Sequence, residues 1–220
     1  MTTLQYVQVD TGAEPTASVI WLHGLGANGH DFEPIVPELG LPANAAVRFI
    51  FPHAPEMPVT INGGMVMPAW YDIKAMDVKR TVDTEQLLAS SDAVAELVRQ
   101  ERDRGVPPER IIIAGFSQGG AVAYQLGLTY PERLAGILAM STYFATADTI
   151  EPSEANRQIP ISVFHGTFDP MVSETLGQDS VARLQAMGYA PEYHAYPMDH
   201  AVCLEEIQEV GACIRNWLSL

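Results

Sequence analysis

Positive charge is scarce in this chain. Its 12 Lys and Arg face 27 Asp and Glu, a formal net charge of −15. Such a surface repels phosphate backbones and anionic bilayers, so no nucleic-acid partner is expected. Cysteine is nearly absent. Cys203 and Cys213 fall in a stretch that reads as helical, where their spacing puts them about 15 Å apart, too far to bridge. Two unbridged thiols fit a reducing compartment, and a cytoplasmic location is expected. No apolar run approaches the roughly 18 residues that span a bilayer, so no integral membrane association is expected. "MTTLQYVQVD" lacks the basic and apolar regions of a secretory leader. Low-complexity tracts, internal repeats and long linkers are also missing, and one domain over residues 1–220 is expected.

What is there is an alternation. "VIWLHG" (19–24), "VRFIFP" (47–52), "RIIIAGFS" (110–117), "GILAMST" (136–142) and "ISVFHG" (161–166) are apolar on consecutive positions and rich in β-branched residues. Strands buried on both faces read this way. Helical patterns separate them. Residues 82–104 place Leu87, Val94, Leu97 and Val98 near one stripe, and Gly105 with Pro107 ends it. "GGAVAYQLGLTY" and "VARLQAMG" follow the third and fifth strands. Residues 204–218 repeat apolar positions at Leu204, Ile207, Val210 or Gly211, Ile214 and Leu218. The expected fold class is α/β, a mostly parallel central sheet with helices on both faces.

One segment breaks the rhythm. "EMPVTINGGMVMPAWYDIKAMD" (56–77) has no helical stripe and carries Met57, Met65, Met67, Trp70 and Met76. It reads either as a surface excursion whose methionines fill core gaps or as a pliable apolar wall over a site.

The strongest local signal is "RIIIAGFSQGGAVAYQLG". Gly115, Phe116, Ser117, Gln118 and Gly119 spell G-x-S-x-G between a buried strand and a small-residue helix. A serine hydroxyl is a poor nucleophile at neutral pH, so the fold must expose it and set a base beside it. A tight strand-to-helix turn does this, and its flanking glycines leave room for the helix. The N–H of Gln118 then points with the helix N-terminus toward a carbonyl under attack. Such an elbow requires an acid and then a histidine further along the chain. "HGTFDP" offers Asp169 after a strand, and "YPMDHAVCLEEI" offers His200 in a loop before the last helix. Asp199 is a rival acid, but chain neighbours seldom set a carboxylate against Nδ1 with the other nitrogen free. His53, His165 and His194 sit at or within strands and read as structural, and His30 comes too early in the chain.

"WLHGLGANGHDF" (21–32) has two readings. Gly24, Gly26 and Gly29 match a dinucleotide-binding turn. That fold needs an acid near the end of the second strand, where Pro52 and His53 stand instead, and Asp31 and Glu33 would oppose a pyrophosphate. The other reading is an oxyanion loop containing His23, with the N–H of Leu25 as its donor. It is the one consistent with the elbow.

Taken in order, "VIWLHGLG", "PHAPEMPVTINGG", "MPAWYDI", "GFSQGGAVA", "HGTFDP" and "HAVCLEEI" resemble the phospholipase/carboxylesterase family of α/β-hydrolases, close to its bacterial carboxylesterases and to acyl-protein thioesterases. The resemblance runs through the whole chain. It implies Ser117 as nucleophile, Asp169 as acid, His200 as base, and Leu25 and Gln118 as oxyanion donors. Trp70, with Met65 and Met67, would line the acyl groove. It implies no metal and no organic cofactor, an ester or thioester substrate, and homodimers within reach. Hydrolysis of short to medium acyl esters is the expected activity. Thioester or lysophospholipid hydrolysis on longer chains is the alternative, and a silent binding scaffold is the alternative of another class. The family pattern has Gly before the catalytic His where this chain has Asp199, and "MTTLQ" has no cysteine of the kind that some thioesterases palmitoylate.

Overall fold

The computed structural model describes residues 3–76 and 80–220. Its strands are β1 (Tyr6–Asp10), β2 (Ala17–Leu22), β3 (Val47–Pro52), β4 (Glu56–Val59), β5 (Met65–Pro68), β6 (Ile73–Ala75) and β7 (Thr81–Val82). Helix α1 (Thr84–Asp103) follows, then β8 (Ile111–Phe116), α2 (Gln118–Thr129), β9 (Gly136–Met140), β10 (Ile161–Gly166), α3 (Glu174–Ala186), β11 (Glu192–Tyr196) and α4 (Leu204–Leu218). A seven-stranded sheet runs β1-β3-β2-β8-β9-β10-β11, parallel throughout except for the antiparallel β1–β3 pair at one edge. This is the mostly parallel α/β sheet expected from the strand–helix alternation, and the architecture that the resemblance to α/β-hydrolases implies.

The pleat divides the core in two. Along β2, Ile20 and Leu22 face the side packed by α1, α2 and α3, with Leu87, Val94, Val122 and Leu184. Val19 and Trp21 face the other side, with Ile207, Val210 and Ile214 of α4 and Val36 and Leu39 of a 3₁₀ helix, Glu33–Leu39. Both faces of the sheet are therefore buried, which is why its inner strands are apolar at every position. Helix α1 begins at Asp83, whose side chain accepts from Gln86 N at 3.0 Å, a cap that contributes about 1 kcal/mol. It ends before Gly105, which turns the chain at φ 98°. In α4 the stripe holds from Ile207 onward, while Leu204 is exposed at the first turn rather than in the core.

Two differences from the sequence reading have physical causes. Strand β1 was not expected, because an edge strand such as "YVQVD" is only half-buried and lacks a consecutive apolar run. The segment 56–77 is more regular than expected. β4 and β5 form an antiparallel hairpin with Met57 opposite Met67, and Gly63 and Gly64 supply the positive φ of its turn. β6 pairs with β7 in a second, smaller hairpin. Asp77, the last residue of the expected segment, lies outside the described residues.

Candidate active site

The parallel strands end together on one side of the sheet. β2 is flanked by β3 and β8, so successive connections leave it in opposite directions and a crevice opens beyond its C-terminal end. Ser117 stands there, between β8 and α2, with φ 52° and ψ −118°. A non-glycine residue seldom adopts a positive φ, and here the surroundings enforce it. Ser117 N donates to Met140 O at 2.9 Å, and Thr142 Oγ1 donates to Ser117 O at 2.6 Å. A Cβ on Gly115 would lie 2.3 Å from Gly119 O, and one on Gly119 would lie 2.6 Å from both Leu22 O and His23 O. The elbow therefore closes only with glycine at these two positions.

His200 arrives from the loop between β11 and α4. Its Nε2 lies 3.0 Å from Ser117 Oγ, and its Nδ1 lies 2.7 Å from Asp169 Oδ2. Asp169 sits in the turn after β10, and its Oδ1 accepts from Met171 N and Val172 N, each at 2.8 Å. Burial raises the affinity of this carboxyl for a proton. The His200 hydrogen bond and the two backbone N–H groups outweigh burial and hold it below the ordinary carboxylate range. Asp199 is exposed, and the ring nitrogens of His200 bond Asp169 and Ser117 instead. His165 is fully buried, and its Nε2 donates to Val172 O at 2.9 Å, supporting the same turn.

Leu25 and Gln118 both line the cleft beside Ser117. The N–H of Leu25 donates to no backbone carbonyl among the described residues, and that of Gln118 begins a helix, where no intrahelical acceptor exists. The loop carrying Leu25 is fixed from three sides. His23 Nε2 accepts from Ala54 N at 3.1 Å, so the proton is on Nδ1, which bonds Gly24 O at 2.7 Å. Gly26 N donates to Pro68 O, and Trp70 Nε1 donates to His23 O at 2.9 Å. Burial keeps His23 neutral by lowering its proton affinity.

The cleft over Ser117 has a volume of about 520 Å³. Met67, Met76, Ile61 and Ile73 of the hairpin segment form one wall, with Met171 and Val172 on another. Trp70 is placed elsewhere. It is fully buried beneath the oxyanion loop, and its backbone N donates to Gln118 Oε1 at 2.8 Å. It therefore supports the loop and does not line the cleft, a correction to the role implied by resemblance. Met65 is 64% exposed and does not line the cleft either: the two-residue period of β5 gives it the same face as Met67, but it stands at the turn end of the hairpin, next to Gly64.

Several features of the site go beyond those expected from sequence. The Gln118 side chain bridges α2 to the hairpin segment, accepting from Trp70 N and donating to Tyr71 O. Tyr143 and Arg80 line the cleft. Tyr143 could have been found from its place just past the C-terminal end of β9, where side chains of a parallel sheet reach the crevice. Among the described residues no group of three or more His, Cys, Asp or Glu side chains is arranged to hold a metal. None of the described helices is long and apolar enough to cross a membrane.

A profile of the phospholipase/carboxylesterase family matches residues 5–218. The chain is 41% identical over 217 residues to acyl-protein thioesterase 1 of Gibberella zeae, covering 94% of this chain and 92% of that protein. Its fold is similar to that of Zea mays acyl-protein thioesterase 2, with a TM-score of 0.84, 29% identity, and coverage of 97% of this chain and 99% of that one. Arabidopsis thaliana SOBER1 matches with a TM-score of 0.85 and 32% identity over 92% of this chain and 99% of that one.

Proposed function

The chain belongs to the phospholipase/carboxylesterase family and is a serine hydrolase of its carboxylesterase and acyl-protein thioesterase group; from that premise we propose that it cleaves acyl thioesters and esters, with medium to long acyl chains preferred. The first half of this reading is carried by one observation, the continuous chain of contacts from Ser117 through His200 to Asp169. His200 Nε2 takes the Ser117 proton as Oγ bonds to the acyl carbonyl carbon. Asp169 holds the imidazole by Nδ1 and stabilises its cation. The oxyanion rests on the N–H groups of Leu25 and Gln118. Collapse of the tetrahedral intermediate breaks the bond to the alcohol or thiol, which leaves with the proton from His200. A water molecule then repeats the sequence on the acyl-enzyme and releases the acid.

The preference for medium to long acyl chains departs from the activity on short to medium chains expected from sequence. It is supported by the cleft, whose apolar wall of Met67, Ile61, Ile73 and Met76 continues to the surface, where Met76 is 48% exposed. A short-chain esterase needs only a closed pocket. Unbranched thioether side chains adapt to acyl groups of differing shape. The names carried by the relatives, acyl-protein thioesterase 1, support the thioester part of the proposal. The free thiols of Cys203 and Cys213 support a reducing, cytoplasmic setting for it. The test is a series of p-nitrophenyl esters and matching thioesters from acetyl to palmitoyl. kcat/KM rising through the medium chains supports the proposal, and a maximum at acetyl would overturn the chain-length half of it.

A further inference from the structure

Among the described residues, the cleft carries one permanent cation that the proposed hydrolytic steps do not use. Arg80 lines it, together with the titratable Asp31 and His200. In a chain with this surplus of acid, basic side chains find carboxylates readily. Arg48, Arg99, Arg102, Arg104, Arg157 and Arg183 do, and Arg110 and Arg215, away from the cleft, donate to backbone carbonyls instead. Arg80 makes no ion pair to any described carboxylate. Its guanidinium instead lies 5.2 Å from the ring centroid of Tyr143. That ring is a fixed shelf, buried and tied through its hydroxyl to the hydroxyl of Tyr71 at 2.8 Å. Burial keeps both phenols neutral, so the ring contact orients the cation without cancelling its charge.

The backbone at Arg80 adds a second observation. Its φ is 52°, a left-handed conformation that glycine or asparagine would adopt at less cost. An arginine is held there in spite of that cost, half-buried, with its side chain in the cleft. The net charge of −15 repels an anionic substrate at long range. Recognition of such a substrate therefore has to come from a local cation.

We infer that Arg80, positioned on the Tyr143 ring, forms an anion subsite within the cleft, so that the enzyme favours esters or thioesters bearing a carboxylate or phosphate within reach of Ser117. Guanidinium groups bind such oxyanions through charge-assisted, paired N–H donors. The anion can be carried on the acyl portion or on the leaving group. The inference rests on the serine-hydrolase reading above and makes Arg80 a specificity-determining residue.

The experiment measures kcat/KM on two matched pairs. The acyl pair is mono-p-nitrophenyl adipate against p-nitrophenyl hexanoate. The leaving-group pair is the butyryl thioester of mercaptopropionate against that of mercaptopropionamide. Each is run on wild type, Arg80→Gln and Arg80→Lys, with Ser117→Ala as the blank. The expected result is that Arg80→Gln lowers the anionic-to-neutral ratio about tenfold in one pair, mainly through KM, the scale of one charge-assisted contact. Arg80→Lys should recover part of it, and added salt should erode the wild-type ratio. The pair that responds identifies which end carries the anion. A merely structural role for Arg80 would lower both members of a pair together and leave their ratio unmoved. An unmoved ratio in both pairs overturns the subsite. Absence of Ser117-dependent turnover of the neutral substrates overturns the hydrolase reading and the subsite with it.

Discussion

The two walls of the cleft are built on different principles. On one side, Ser117, Asp169 and His200 stand beyond the C-terminal ends of the parallel strands β8, β10 and β11, and backbone geometry leaves little choice of residue. A methyl group on Gly119 would meet two carbonyl oxygens at 2.6 Å, so the elbow admits no side chain there. On the other side, the hairpins of β4 to β7 present Met67, Ile61, Ile73 and Met76, while Met65 and Val66 near the hairpin turn are exposed. Nothing but size and flexibility is asked of these residues. The difference implies that the chemistry is fixed by fold and the acyl preference by exchangeable side chains. Substitutions should then divide sharply between loss of reaction and shift of substrate.

The largest effect should come from Ser117→Ala, with kcat falling on the order of 10⁶-fold while the thermal midpoint stays near wild type. A retained rate would place the nucleophile elsewhere. Asp169→Asn keeps the shape of the turn but accepts only weakly from His200, and a loss on the order of 10⁴-fold in kcat is expected. Circular dichroism and calorimetry on both variants separate chemistry from folding.

Gly119→Ala should damage activity and stability together, because relieving the contacts with Leu22 O and His23 O moves both the elbow and the oxyanion loop. A midpoint equal to that of wild type would show that the elbow is less constrained than its geometry indicates.

The catalytic end also contains a carboxyl with the opposite environment to that of Asp169. Glu206, in the first turn of α4, is fully buried and neither of its side-chain oxygens has a hydrogen-bond partner among the described residues. Burial pushes its pKa up to about 8 from an ordinary 4.5. Between those values the folded state binds more protons than the unfolded state, so stability falls as pH rises across that window. Asp169 has the reverse sign, since its depressed pKa gives a contribution present above the ordinary carboxylate pKa and lost on acidification through the folded value. Glu206→Gln should flatten the decline of the melting temperature from about pH 5 to about pH 8, measured by scanning calorimetry. An unchanged slope would mean that Glu206 is solvated or paired in solution.

The smallest effect should come from the hairpin wall. Met67→Ala is expected to move the preferred acyl length while changing kcat/KM at any one length within about tenfold. A loss comparable to that of Asp169→Asn would erase the distinction between the two walls.

The same distinction decides what could be read without a structure. His200, which follows the partly exposed edge strand β11, was legible from the order of nucleophile, acid and base and from the helix after it. Ser117 and Asp169 were legible because each follows a strand whose continuous apolar run marks it as buried. The inner strands and helices were legible for the same reason. β1 was not, since pairing antiparallel with β3 at an open edge leaves it half-buried and without an apolar run. The hairpins were not, since Pro, Gly and Met obscure a two-residue period in strands of four residues or fewer. Trp70 shows the limit of resemblance. Its segment does border the cleft, but whether one side chain faces substrate or core depends on packing against Gln118 and His23, which come from distant parts of the chain.

The most direct test of the account is covalent. Incubation with a fluorophosphonate probe, followed by intact-mass and peptide mass spectrometry, reads out which side chain is activated for attack. One adduct on Ser117, abolished in Ser117→Ala and strongly slowed in Asp169→Asn, is the predicted result. A folded protein that takes up no probe, or takes it up at another residue, would contradict the claim that this elbow, base and acid form a working nucleophile.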